Sequence, residues 1–166
     1  MLLKNKWLLT GFSSVLIGGA ILWEGTRYKP YEDIVGVLTV CHGYTGKDIV
    51  RDKKYSPQEC QAFLEKELYI HAKGILECIN VELKQEEFDA YTLFAYNVGV
   101  VGACRSNAFK ALNADKRMEA CRLMAFAPNG APVWSYAGGK FIQGLHNRRI
   151  YEMNLCMGKM NAKYNS

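Results

Sequence analysis

The chain has 166 residues, enough for one domain with a core of its own and too few for two. With 49% hydrophobic and 22% charged residues, it is not a disordered chain, a collagen or a polytopic membrane protein. A net charge of +5, with no run of Lys and Arg interleaved with aromatics, excludes a nucleic-acid groove; it suits a weakly anionic wall or membrane surface, and an ordinary solvated surface accounts for it equally well.

Residues 7–23 read WLLTGFSSVLIGGAILW, with no charge among them. Lys4 and Lys6 precede the run and Glu24 closes it, the layout of an export signal. The run reaches about 25 Å as a helix, against a hydrocarbon core of roughly 30 Å. Thr10, Gly11, Ser13, Ser14, Gly18 and Gly19 dilute it and weaken its grip on lipid. No cleavage site is persuasive: a weak small-x-small site, Gly18 with Ala20, would leave the end of the segment attached. The lysines place the N-terminus in the cytoplasm and everything after Glu24 outside.

Residues 34–55 are rich in Val, Ile, Thr and Tyr, with Gly36, Gly43 and Gly46 between them, and predict a small antiparallel sheet. Ser56-Pro57-Gln58-Glu59 is a capping-box sequence. Cys60, Phe63, Leu64, Leu68, Ala72, Ile75, Leu76 and Ile79 then repeat at helical spacing. Residues 86–98 predict a helix apolar nearly all round, the buried centre of a small domain, stopped by Gly99 and Gly102. Ser106 opens a short helix through Leu112, and Asp115 caps another through Phe126. Pro128, Gly130 and Pro132 interrupt, and a last helix spans 145–157. The class is α+β: a small sheet near the front, then helices.

Six cysteines, none in a CxxC pair, point to three disulfides rather than a metal cage or redox motif, and hence to an oxidising compartment. His42 and Cys41 lack partners at metal-ligand spacing, and no cofactor is expected. His42 lines a cleft near Thr39 or packs in the hairpin. His71 is structural and His146 solvated. Trp134 belongs to the core rather than to a sugar platform. Arg148 and Glu152 are i,i+4 neighbours on the last helix, worth about a few tenths of a kcal/mol if exposed.

Glycoside hydrolysis needs two carboxyl groups, one protonated to donate to the leaving oxygen and one ionised. Glu24, beside Trp23 and an apolar helix, is the better acid, because burial favours the protonated form. Asp33, at the edge of a polar hairpin, is the better ionised partner, and the Thr39 hydroxyl suits a water-orienting role.

The string from Glu24-Gly25 through Asp33 to Gly36-x-x-Thr39-x-x-x-Gly43-x-Thr45 resembles the active-site segment of phage-type lysozymes, glycoside hydrolase family 24. Phe88-Asp89-Ala90 with Phe94 through Gly99 resembles the family's buried helix. Trp134, Tyr136 through Lys140, Gly144-Leu145, Arg148-Arg149 and Glu152 resemble its C-terminal signature, so the match covers roughly residues 23–158. The resemblance implies an α+β lysozyme fold. It also implies a muramidase cutting the β-1,4 bond between N-acetylmuramic acid and N-acetylglucosamine of peptidoglycan, for host cell lysis. It implies Glu24 as acid, Asp33 as partner and Thr39 as orienter of water.

The N-terminus resembles the signal-arrest-release endolysins of lambdoid phages, which are tethered to the host inner membrane and later released into the periplasm. No cysteine precedes Cys41, so control by disulfide exchange within the segment is excluded and refolding alone is expected. On this reading residues 1–23 are the arrest segment and 24–166 a monomeric catalytic domain. The resemblance and element order favour Cys41–Cys60, Cys78–Cys104 and Cys121–Cys156 among 15 connectivities. Two rivals are a secreted lysozyme with a cleaved signal and a non-catalytic wall-binding protein on the same fold.

Overall fold

The structure, a computed structural model, describes residues 6–9, 11–33 and 36–159. Lys4, Thr10, Ile34 and Val35 lie outside the described residues. The apolar run is divided in two, α1 (Lys6–Leu9) and α2 (Ser14–Glu24). Gly11 takes φ +77°, and Ser13 caps α2 by accepting the Leu16 N–H at 3.0 Å. Of the expected single N-terminal apolar helix, then, the structure has two short pieces. No helix among the described residues is long and apolar enough to cross a membrane.

Strands β1 (Arg27–Glu32) and β2 (Leu38–Cys41) form an antiparallel hairpin with Tyr31 opposite Thr39 and Arg27 opposite Cys41. The sheet starts earlier than predicted and also stops earlier. Cys41 at φ +60° and Gly43 at φ +85° turn the chain sharply, and Val40 meets only Tyr44 beyond that point. A small core of Val40, Cys41, Tyr44, Tyr55 and Cys60 fills the space between hairpin and helix α3 (Pro57–Cys78), with Phe63 stacked on Tyr44. The capping box forms: Ser56 Oγ accepts the Glu59 N–H, and Glu59 accepts the Ser56 N–H.

Helix α4 (Gln85–Val98) is buried without a break from Glu87 to Ala95. A helix with no polar face needs neighbours on every side. It has them in α2, α3, α5 (Val100–Arg105) and α8 (Gln143–Cys156). Helix α5 was not expected. Gly99 ends α4 at φ +82°, but Gly102 sits inside the next helix under the Trp134 ring. Helices α6 (Asn107–Asn113) and α7 (Arg117–Arg122) follow. Asp115 is not the cap of α7: it takes φ +57° and accepts from Arg117 Nε at 2.8 Å, and the helix ends at Arg122 rather than Phe126. A second unpredicted feature is the two-residue hairpin of β3 (Tyr136–Ala137) and β4 (Lys140–Phe141), turned by Gly138 and Gly139.

Disulfides join Cys41 to Cys60, Cys78 to Cys104 and Cys121 to Cys156, with Cα separations of 5.0, 5.9 and 5.6 Å. They fasten hairpin to α3, α3 to α5 and α7 to α8. Leu16 and Ala20 of α2 are fully buried in the main core. The boundary expected between residues 23 and 24 therefore falls inside a helix that is packed on the domain.

Candidate active site

Glu24 is the last residue of α2. Gly25, at φ +68°, ends the helix and donates its N–H to Ile21 O at 2.9 Å. The Glu24 side chain keeps a quarter of its surface exposed, and Arg148 Nη1 donates to its Oε1 at 2.6 Å. Arg148 is 5% exposed, donates through Nε to Glu152 Oε1 at 3.1 Å and reaches Leu93 O with Nη2. Arg149 Nη2 donates to the same Glu152 oxygen at 2.8 Å, and its guanidinium lies over the Phe94 ring. Burial pushes the Glu152 carboxyl up against the pull of both guanidiniums, and pushes Arg149 down.

The Arg148–Glu152 pair is thus not a surface pair. Both are buried, and they form the inner end of an ionic chain running Glu24–Arg148–Glu152–Arg149. The spacing of two arginines three and four residues before one glutamate was visible in the sequence. Its burial was not, because Glu24 is 124 residues away.

The second oxygen of Glu24 faces Gly43, where a Cβ would stand 3.6 Å from Oε2. His42 is buried, and its Nδ1 donates to Gly25 O at 2.7 Å, with Thr26 Oγ1 at 3.2 Å. The imidazole therefore braces the turn after Glu24. Tyr96 donates its hydroxyl to His42 O at 3.1 Å; burial first, then the charge of Glu24, keeps that phenol protonated. Residue types other than Gly at 43 would be strained by φ +85°.

Asp33 stands at the far end of β1. Its Oδ1 accepts the Val37 N–H at 2.8 Å, its N–H donates to Val37 O at 3.0 Å, and Gly36 N–H closes the turn on Asp33 O. Thr39, 4% exposed, donates its hydroxyl to the same Val37 O at 3.0 Å. One peptide group thus ties Asp33 to Thr39, while Glu24 meets the hairpin at its other end through His42 and Gly43. His71 lies edge-on to Tyr96 with Nδ1 2.7 Å from Glu67 O, a structural placement. His146 is not solvated: it is half-buried between the Phe126 and Phe141 rings, 3.2 Å from Ser135 Oγ.

Trp134 is both core and surface. It takes φ +54°, packs edge-on against Phe94 and still exposes 39% of itself. It lines a pocket of about 320 Å³ with Arg105, Asn107, Leu123 and Phe126. Among the described residues no group of three His, Cys, Asp or Glu is placed to hold a metal ion.

A hairpin and a helix terminus presenting carboxyl groups, backed by a buried arginine and a mainly helical body, define a lysozyme-like glycoside hydrolase. The family model described as phage lysozyme matches residues 22–152, and the chain belongs to that family. It is a muramidase-class enzyme, an endolysin in phage lysis. The SAR-endolysin of Bacteriophage PS119 is 41% identical over 148 residues, spanning 87% of this chain and 84% of that one. The SAR-endolysin of Escherichia phage Mu is 36% identical over 143 residues, with 86% and 79% covered. The crystal structure of a P22 lysozyme mutant superposes with a TM-score of 0.79 at 25% identity, over 89% of this chain and 99% of that one.

Proposed function

We propose that Glu24 is the general acid and Asp33 its ionised partner in cleavage of the β-1,4 bond between N-acetylmuramic acid and N-acetylglucosamine of peptidoglycan, with Thr39 orienting the attacking water. Arg148 fixes Glu24 Oε1, so the proton for the leaving oxygen sits on Oε2, on the Gly43 side. Asp33 N–H and Thr39 Oγ1 both donate to Val37 O, which supports the two residues acting on one water. Residues 7–23 first hold the chain in the host inner membrane and later leave it, whereupon α2 packs on α4 and the enzyme acts in the periplasm. Escape moves Lys4 and Lys6 outward against the membrane potential, at ~2.3 kcal/mol per charge per 100 mV.

The observation that carries this reading is the position of Glu24 as the last residue of α2, whose other residues all belong to the apolar segment. The acid is delivered only when that segment docks. A cut after Ala20 would remove the buried Leu16 and Ala20 from the core, which disfavours the cleaved-signal rival. Glu24→Gln should fold and lose activity by ~10²–10⁴-fold, since an amide cannot donate the proton. Near-normal muramidase activity in folded E24Q would sink the acid assignment. In cells, the chain should fractionate with membranes until an uncoupler is added, then appear soluble and active with its N-terminus intact. A soluble active form beginning after residue 20 would overturn the release mechanism.

A further inference from the structure

We propose that Asp89 and Ser13 are positioning residues for Glu24: their hydrogen bond, together with a notch at Gly19, admits one register of α2 on α4. The inference rests on the reading of Glu24 as general acid.

Asp89, on α4, is 2% exposed. Among the described residues it bonds two neutral donors: Ser13 Oγ donates to Oδ2 at 2.6 Å, and Gln85 Nε2 donates to Oδ1 at 2.8 Å. A buried carboxyl held only by neutral donors is costly, and burial pushes it up. The Ser13 hydroxyl does two things at once. Its oxygen caps α2 by accepting the Leu16 N–H, and its proton fastens that cap to α4.

Farther along α2, Gly19 lies so close to α4 and α8 that a Cβ would stand 2.8 Å from Leu93 Cδ1 and 3.2 Å from Tyr151 Oη. The sequence around both contacts is ambiguous taken singly, because Ser14 follows Ser13 and Gly18 precedes Gly19. Slip α2 so that Gly18 fills the notch, and Phe12 arrives at Asp89. Slip it the other way, and Ser14 satisfies Asp89 while the Ala20 methyl enters the notch. Only the observed register satisfies both. A one-residue slip moves Glu24 about 1.5 Å along the axis and turns it about 100°. Displacement of about 1 Å can cost 10²-fold in rate.

The test uses the full-length released enzyme and solubilised peptidoglycan. S13D keeps a good capping residue but sets a second carboxylate against Asp89. In folded protein it should lower kcat at least about tenfold and leave KM within about twofold, the signature of a displaced acid. S13D/D89N should return kcat to within about threefold of wild type, because the introduced amide can donate to the introduced carboxylate. Wild-type kcat in folded S13D, or a double variant no better than S13D, would overturn the proposal. If S13D does not fold, S13A carries the test, with S13T as the conservative rescue: S13A should lose kcat and S13T keep it, and equal kcat in the two would overturn the proposal. E24Q is measured alongside. An active E24Q removes the acid assignment, whereas an inactive E24Q with an unaffected S13D removes only the latch.

Discussion

The N-terminal helices and the body of the molecule are held by different kinds of bond. From Cys41 onward three disulfides cross the body: hairpin to α3, α3 to α5, α7 to α8. Residues 6–24 carry no cysteine. They are held by two fully buried side chains, Leu16 and Ala20, by the Ser13–Asp89 bond, by the Lys6–Glu82 pair and by Arg148 on Glu24. Burying one leucine contributes about 1.5–3 kcal/mol. On the release mechanism proposed above, the body forms first and α2 attaches to it afterwards through these noncovalent contacts. On that proposal the difference teaches why the acid would be placed on α2: the last contact to form is the one that makes the enzyme competent.

The largest effect expected in the body comes from Glu152→Ala. It strips both buried arginines of their shared partner, and breaking such a cluster costs about 3–5 kcal/mol. Urea unfolding should show that loss as a lower midpoint for the whole molecule. A loss below about 1 kcal/mol would mean the ionic chain is not structural. Next, replacing Cys121 and Cys156 by Ala should cost about 2–4 kcal/mol, again globally. If hydrogen exchange in that variant rose in α2 alone, the division into body and movable segment would be wrong.

Gly19→Ala should cost about 1–3 kcal/mol by overpacking against Leu93. Here the loss should appear locally: faster exchange in α2 and reduced activity, with protection in α3 and α4 retained. Loss of protection throughout would show that α2 cannot leave without unfolding the body. The smallest effect belongs to Glu59. The Lys53 ammonium and then the Ser56 N–H hold its carboxyl down at about 2, against an ordinary 4.5. A depressed carboxyl stabilises above its unfolded value and loses that contribution as the pH falls through its folded one. The Tm advantage of wild type over Glu59→Gln should therefore be complete above about pH 4.5 and gone near pH 2. An advantage unchanged at pH 2 would exclude the ion pair as its source.

Much of this was legible in the chain. The capping box at Ser56, the stripe of α3 and the all-round apolar α4 follow from local spacing, and local spacing is what determines them. Two misses have physical causes. Gly99 and Gly102 read together as a stop, but only Gly99 takes a positive φ; Gly102 is a glycine because Trp134 lies on it. The β3–β4 hairpin did carry a signal, the Gly138-Gly139 turn, but its strands of two residues show no alternation. At the candidate site, Glu24, Asp33 and Thr39 stand on one short stretch, so a motif could single them out. The burial of Arg148 was not legible, because nothing local reports it. Ser13 and Gly19 were seen only as residues that weaken a membrane span. Their partners, Asp89 and Leu93, are more than 70 residues away, so contact chemistry on α4 could not be inferred from α2.

The order of the disulfides has a consequence for how the chain is made. The cysteines pair consecutively in chain order, 41 with 60, 78 with 104 and 121 with 156, and no loop encloses another. A chain threaded through a translocation pore N-terminus first exposes one unpaired thiol at a time, and the next to emerge is its correct mate. Oxidation in order of arrival therefore builds the native set directly. Such a molecule needs an oxidant in its compartment but no isomerase to reshuffle mistakes, and its folding yield should follow the speed of thiol oxidation rather than the supply of a shuffling catalyst.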